Sequence, residues 1–259
     1  MTRLGWFRLA SLLCCALLPA ASAATDAQAI LAASDAVRNP ARPFASTVTL
    51  LEFRQGKQTD ASVLNVLSKA DEGSGQYRTL IRMISPERDL NKLMLKSGND
   101  MWFYDPSSQA SVRLSPQQRL LGQASSGDVV TVNLAKDYKA ELLAEEDTVD
   151  GEKATRRAYK LDLSAVSPDV AYHRVEMWVD TASSRPIKAR FFSESGHLLK
   201  TAYYRKYQPQ LGRERPTEVV IIDGLDPSWV TVLRYSGYAW RDIPDAWLQR
   251  DYLPRFKPN

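Results

Sequence analysis

The side chains best equipped for chemistry in this chain are two histidines, a serine cluster and two acidic runs, and their spacing argues against each reaction they suggest. His173 and His197 do not form the His-Glu-x-x-His pair that turns two imidazoles to one helix face around zinc. Ser193-Glu194-Ser195-Gly196 and the stretch from Gly122 to Gly127 both miss the Gly-x-Ser-x-Gly elbow that strains a nucleophilic serine into exposure. A serine-histidine-aspartate site drawn from distant residues stays open, because such triads are defined by geometry and not by order. Glu145-Glu146-Asp147 precedes the Asp150-Gly151 turn, and Asp223-Gly224-Leu225-Asp226 is followed by Pro227, so both runs read as solvated turn carboxylates. Glycoside hydrolysis needs one carboxyl held in an apolar pocket, and neither run provides for that. The expectation is a protein that is not an enzyme and holds neither metal nor cofactor.

Tyr203-Tyr204 and Arg205-Lys206-Tyr207 interleave aromatic and basic residues, a mixture that suits stacking against single-stranded nucleic acid. The overall charge argues otherwise. Of the formal +4, Arg3 and Arg8 lie in the first 23 residues, which hold no carboxylate, so the remainder carries only +2. That is too weak an excess for a nucleic-acid partner.

The leader explains those two arginines. Leu9 to Leu18 is an apolar run and Ala21-Ser22-Ala23 is a small-x-small cleavage site, so residues 1–23 read as a secretory signal peptide and residues 24–259 as one exported domain. Both cysteines, Cys14 and Cys15, belong to the leader, which leaves the exported part without thiols or disulfides. No second apolar run reaches the ~20 residues of a membrane span.

The exported part reads as one helix followed by strands. Ile30, Leu31, Ser34 and Val37 recur at helical spacing between Asp26 and Arg38, with Thr25 as the expected N-cap and Pro40 beyond the end. From Ala45 onward, apolar segments of eight to ten residues alternate with turns such as Glu72-Gly73-Ser74-Gly75, Ser97-Gly98-Asn99-Asp100 and Leu211-Gly212, which predicts about eleven antiparallel strands. In the second half, Leu161 and Leu163 alternate with Lys160 and Asp162, as in a sheet wet on one side. In the first half, Leu93-Met94-Leu95 and Met101-Trp102-Phe103-Tyr104 are apolar on both phases, so these strands must be covered on both faces. A two-layer sandwich and a single covered sheet both satisfy that pattern.

The stretch from Ser115 to Tyr138 breaks the strand rhythm. Pro116 to Leu121 is expected to make a helical turn or two, and Gly122 to Asp128 is small and polar. A connection this long is either a solvated excursion or a flap with Leu120, Leu121, Val129 and Val130 turned inward. Near the C-terminus, Pro244 or Asp245 starts a short helix that buries Trp247, Leu248, Tyr252 and Leu253 and closes a sheet edge.

Met101-Trp102-Phe103-Tyr104-Asp105-Pro106, Val112-Arg113-Leu114-Ser115, Arg119-Leu120, Gly122 and the Ser126-Gly127-Asp128 loop leading to Asn133-Leu134 resemble the outer-membrane lipoprotein-sorting family, the LolA-like proteins of the bacterial envelope. The opening helix, the leader and Ile243-Pro244-Asp245 are similar to that family as well. The resemblance implies a strongly curved, incomplete antiparallel β-barrel with helices over its mouth and an apolar cavity for acyl chains. It implies a periplasmic lipid or lipoprotein carrier, with acyl chains as cargo and an inner-membrane transporter or permease as a partner, acting as a monomer. A non-catalytic adaptor of a lipid-exporting permease is the alternative. Where the family has an aromatic and an acidic residue after its Gly-Asp element, this chain has Val129, Val130, Val132 and Asn133, and no lid-latching basic residue is carried over. The residues expected to touch cargo are Met83, Leu95, Trp102, Tyr104, Leu120 and Leu121, with Met101 and Phe103 as the alternative face of the hairpin.

Overall fold

The computed structural model describes residues 26–257, so residues 1–23, read above as a leader, lie outside the described residues. Helix α1 (Ala27–Arg38) opens them. Its cap is Asp26 and not Thr25: the Asp26 carboxylate accepts from the backbone N–H groups of Gln28 and Ala29. The chain then runs through β1 (Phe44–Arg54), β2 (Lys57–Ala70), β3 (Tyr77–Ser85), β4 (Leu93–Ser97), β5 (Asp100–Asp105) and β6 (Ala110–Leu114). A long connection follows, holding β7 (Arg119–Leu121), β8 (Ala124–Ser125) and α2 (Leu134–Asp137). The second run comprises β9 (Tyr138–Val149), β10 (Thr155–Ala165), β11 (Arg174–Asp180), β12 (Pro186–Phe192), β13 (Leu198–Gln210), β14 (Arg213–Asp223) and β15 (Trp229–Trp240).

Thirteen of these strands make one antiparallel sheet, ordered β6-β5-β4-β3-β2-β1-β15-β14-β13-β12-β11-β10-β9. Two meanders are therefore joined where β1 pairs with β15, with Val48 opposite Tyr235 and Leu50 opposite Leu233. The end strands do not pair with each other, so the barrel stays open. Register shifts at Glu52/Phe53, Val63/Leu64, Lys160/Leu161, Trp178/Val179 and Phe191/Phe192 insert bulges along the sheet. Each bulge bends its strand and raises the local twist, which curls the sheet into a trough. The count exceeds eleven partly because Gln55-Gly56, both at positive φ, makes a tight turn between β1 and β2.

Two buried clusters settle the question of sandwich or covered sheet. On the inner face Val48, Leu50, Leu64, Val66, Ile81 and Met94 pack with Leu31 of α1 and with Val129, Val130 and Leu134 of the connection. On the outer face Leu67, Leu80, Leu93, Leu95 and Tyr104 pack under Ile243, Leu248 and Leu253 of two C-terminal 3-10 turns, Asp245–Leu248 and Arg250–Arg255. The C-terminal segment thus covers the back of β3–β5 and does not close a sheet edge. The outer face of the second meander is wet and carries cross-strand ion pairs. Glu218 receives Arg205, Lys206 and Arg234 at 2.9–3.1 Å, and Glu176 receives Arg174 and Arg190 at 3.0–3.1 Å. Trp178 sits on this face because its indole N–H donates to Glu146 at 2.7 Å.

Candidate functional site

Two short elements roof the trough. Residues 116–121 do not form a helix; Arg119–Leu121 and Ala124–Ser125 make a two-stranded ribbon laid over β1 and β2. Gly122 turns this ribbon at φ +54°, and a Cβ there would collide with Thr231 Oγ1. The same hydroxyl accepts the Gln123 N–H at 2.7 Å, which pins the ribbon to the sheet. Helix α1 holds the other end of the connection. Gln28 donates to the carbonyls of Ala135 (2.8 Å) and Tyr138 (3.0 Å), Asp35 accepts from the Ala135 N–H at 2.7 Å, and Asn39 donates to Val132 O at 2.8 Å. Arg215, buried, donates to Val37 O at 2.8 Å, placing a cation at the C-terminal end of α1 where the helix dipole favours it.

Between roof and sheet lies a hollow of about 150 Å³. Val48, Val66, Ala202, Val219, Ile221 and Leu233 form its floor, and Val129, Val130, Val132 and Leu134 its roof. Arg38, Tyr204, Tyr235 and Tyr238 line it as well. The floor is small-to-medium aliphatic and the roof is valine-rich, while Asn39, Ser46, Asp128, Thr131 and Asp137 bring further polar groups to the lining.

One buried ion pair fastens the roof. Lys200, on inward-facing β13 and 4% exposed at its side chain, bonds Asp128 of the roof and donates to Gln123 O at 3.3 Å. Asp128 also accepts from the Tyr172 hydroxyl at 2.9 Å, and the Tyr138 hydroxyl donates to Tyr172 O at 3.0 Å. The Lys200 ammonium lies 4.8 Å from the Tyr172 ring centre and 5.5 Å from that of Phe191. Burial pulls the Lys200 pKa down, against the upward pull of Asp128, and burial followed by the Asp128 charge pushes Tyr172 well above its ordinary value.

The six residues expected to touch cargo divide between faces. Met83 lies in the inner cluster, and Leu120 and Leu121 pack against that cluster from the ribbon. Leu95, Trp102 and Tyr104 point outward: the register sets Leu95 opposite Trp102 and Leu93 opposite Tyr104, all beneath the C-terminal turns. Met101 and Phe103 take the inner face instead. None of the six lines the hollow. The physical reason is that the C-terminal turns supply an apolar cover only on the outer side, and Arg250 stacks 4.0 Å over the Trp102 ring. Trp102→Ala should therefore loosen residues 243–256, seen as faster hydrogen exchange there and about 3 kcal/mol of lost stability. Binding of a fluorescent fatty acid should stay within about twofold; a large loss of binding would return Trp102 to the site.

The hydrolytic alternative finds no support among the described residues. His197 Nδ1 meets Ser195 Oγ at 2.8 Å, but both are exposed on a hairpin turn and no carboxylate backs the imidazole. No group of three or more potential metal ligands occurs among the described residues, and none of their helices is long and apolar enough to cross a membrane. The Lys200–Asp128 pair is the part of the site that the residue pattern did not announce. Its one visible signal is that Lys200 shares the phase of Ala202 and Tyr204, the inward one.

A family model described only as an uncharacterized protein matches residues 75–255. No curated protein matches the chain. Among solved structures, the LolA superfamily protein NE2245 from Nitrosomonas europaea is 34% identical, with a TM-score of 0.78 over 88% of this chain and 100% of that one. A DUF1329 family protein from Desulfovibrio piger is 20% identical, with a TM-score of 0.74 over 88% of this chain and 97% of that one. A Vibrio parahaemolyticus domain named for outer membrane lipoprotein sorting is 17% identical, with a TM-score of 0.74 over 88% and 98%. The last two share the fold.

Proposed function

This chain belongs to the LolA superfamily, and from that membership and the roofed hollow we propose that it is a periplasmic, non-catalytic carrier that shelters acyl chains of a lipoprotein or lipid for transfer to the outer membrane. The observation that carries this reading is the hollow itself: ten aliphatic side chains from the trough and its roof face a space that the protein's own atoms leave unfilled. Interiors are normally packed to crystal density, so an apolar gap beneath a separable roof marks a place kept for a guest.

Energetics favour such a guest without any covalent step. Each sheltered methylene contributes roughly 0.8 kcal/mol, so a chain of about fourteen carbons gains on the order of 10 kcal/mol on leaving water. The hollow, at about 150 Å³, is smaller than the ~300 Å³ where small-molecule pockets begin. Uptake of a whole chain therefore lifts the valine roof, and the work of lifting offsets part of the burial gain, which is what makes release feasible. The reading of residues 1–23 as a secretory leader supports the periplasmic assignment, and on this proposal an inner-membrane transporter or permease is the donor partner.

Gentle purification followed by native mass spectrometry should find co-purifying lipid, and added lipid should displace a bound fluorescent fatty acid analogue. Recovery of lipid-free protein together with no binding of the analogue would reject the carrier. A pure adaptor of a permease would need no hollow.

A further inference from the structure

We infer that the hollow has a head-group end, where Arg38, Tyr204, Tyr235 and Tyr238 receive the carbonyl oxygens of an acyl ester on the cargo. The inference rests on the carrier reading and names the chemical class of what is carried. Four other tyrosines spend their hydroxyls inside the protein: Tyr77 donates to Pro40 O at 2.8 Å, Tyr138 to Tyr172 O at 3.0 Å, Tyr172 to Asp128 at 2.9 Å and Tyr207 to Pro186 O at 2.5 Å. Tyr204, Tyr235 and Tyr238 make no such bond among the described residues, and all three line the hollow. All three are only partly exposed, and a tyrosine set into a core wall ordinarily finds a partner for its hydroxyl.

Arg38 adds an independent observation, a buried donor without a partner. It stands at the last residue of α1, lines the same hollow, and lies close enough to Tyr204 and Tyr235 for their charges to interact. One of its terminal nitrogens is engaged by Asp35 and by Val132 O at 3.3 Å. Its Nε is fully buried and has no partner. The cluster thus presents several unclaimed donors at one place on a largely aliphatic lining, and a ligand that fills them must bring acceptor oxygens.

Charge decides which oxygens. Arg38 is matched by Asp35, and Lys200 is matched by Asp128. The remaining carboxyl on the lining, Asp137, accepts from Gln76 at 2.8 Å, and burial raises its pKa. Arg215, whose charge reaches Tyr238, is spent on the carbonyls of Gln210, Ala36 and Val37, so no cation on the lining is left over to neutralise a phosphate or carboxylate. A neutral site rich in donors suits an uncharged carbonyl, and the ester that joins an acyl chain to glycerol places one at the end of the chain. Both a glycerolipid and the diacylglyceryl modification of a lipoprotein carry that ester.

The test is displacement of N-phenyl-1-naphthylamine, an uncharged fluorescent probe, from the wild-type protein and from Tyr204→Phe/Tyr235→Phe/Tyr238→Phe, which keeps the rings and removes the hydroxyls. Four competitors separate the possibilities: monolaurin, a diacylglyceryl-cysteine lipopeptide, laurate and dodecyltrimethylammonium. A single neutral hydrogen bond is worth roughly a factor of five. The triple variant should therefore weaken monolaurin, the lipopeptide or both by at least about tenfold, and change dodecyltrimethylammonium by less than about twofold. Whichever ester competes more strongly identifies the source. Equal losses for all four, no loss for either ester, or a loss confined to laurate would each overturn the assignment. A probe that does not bind the wild-type protein would sink the carrier reading itself, whereas binding that is blind to the head group would sink only this one.

Discussion

Asp128→Asn is expected to release the roof. The substitution leaves Lys200 in place, 4% exposed at its side chain and without its counter-charge, and truncating one partner of a buried pair typically costs about 3–5 kcal/mol. The molecule has a local way to relieve that cost. If the ribbon of Arg119–Leu121 and Ala124–Ser125 lifts, water reaches the Lys200 ammonium while the thirteen-stranded sheet keeps its pairing. The loss should thus appear as local opening and not as global unfolding. Hydrogen exchange at Leu121, Ala124 and Ser125 should quicken by about 100-fold, the equivalent of ~3 kcal/mol, while the amides of β14 and β15 stay protected.

The double variant Asp128→Asn/Lys200→Met should recover most of that protection, because it removes both charges and leaves an apolar stem against Tyr172 and Phe191. Unchanged exchange in the single variant would show that the pair does not hold the roof. The pair also sets a pH dependence. Burial places the Lys200 pKa below its ordinary 10.5 when the roof is closed, and opening restores the ordinary value. Between those two values the open form binds more protons, so closure grows more favourable as pH rises through that interval.

Ala202→Phe is expected to abolish acyl-chain binding by filling the hollow. Ala202 lies on the floor, 3% exposed, between Ala189 of β12 and Ile221 of β14. A ring at that position is expected to take up the gap that Ala202 lines. Overpacking a filled core costs about 1–3 kcal/mol, and a partly empty site should cost less. Thermal unfolding should move by a few degrees at most, at about 2–4 °C per kcal/mol in a chain of this size. Affinity for a fluorescent fatty acid should fall more than about tenfold. Val112→Phe, on an exposed position of edge strand β6, should leave it unaltered. Full binding by the Ala202 variant would place the cargo somewhere other than this hollow.

How much of this was readable from the residues differs by element. The opening helix, the strand-and-turn rhythm and the two-faced apolar character of Leu93–Leu95 and Met101–Tyr104 were all legible, because helical spacing and alternation are local signals. The Gln55-Gly56 turn, both residues at positive φ, is equally local. The phase of the hairpin was not legible. With apolar residues on both faces of β5, nothing in its own residues says which is inner, and the choice falls to the C-terminal turns that dock 140 residues later on Leu95, Trp102 and Tyr104. Leu95, Trp102 and Tyr104 lie away from the hollow for that reason.

The residue order by itself determined what each segment is: a capped helix, strands of given length, turns where glycine and asparagine allow them, and a polar break after β6. Only the folded molecule decided what each segment faces. Alternation has a period but no sign, so inward and outward are assigned when the bulged sheet curls and its covers settle. Lys200 and Asp128 lie 72 positions apart, and their pairing exists only because the roof comes down on β13. The same curvature leaves the gap above Ala202, a volume that belongs to no residue and arises where small side chains on a concave wall meet a roof they do not quite reach.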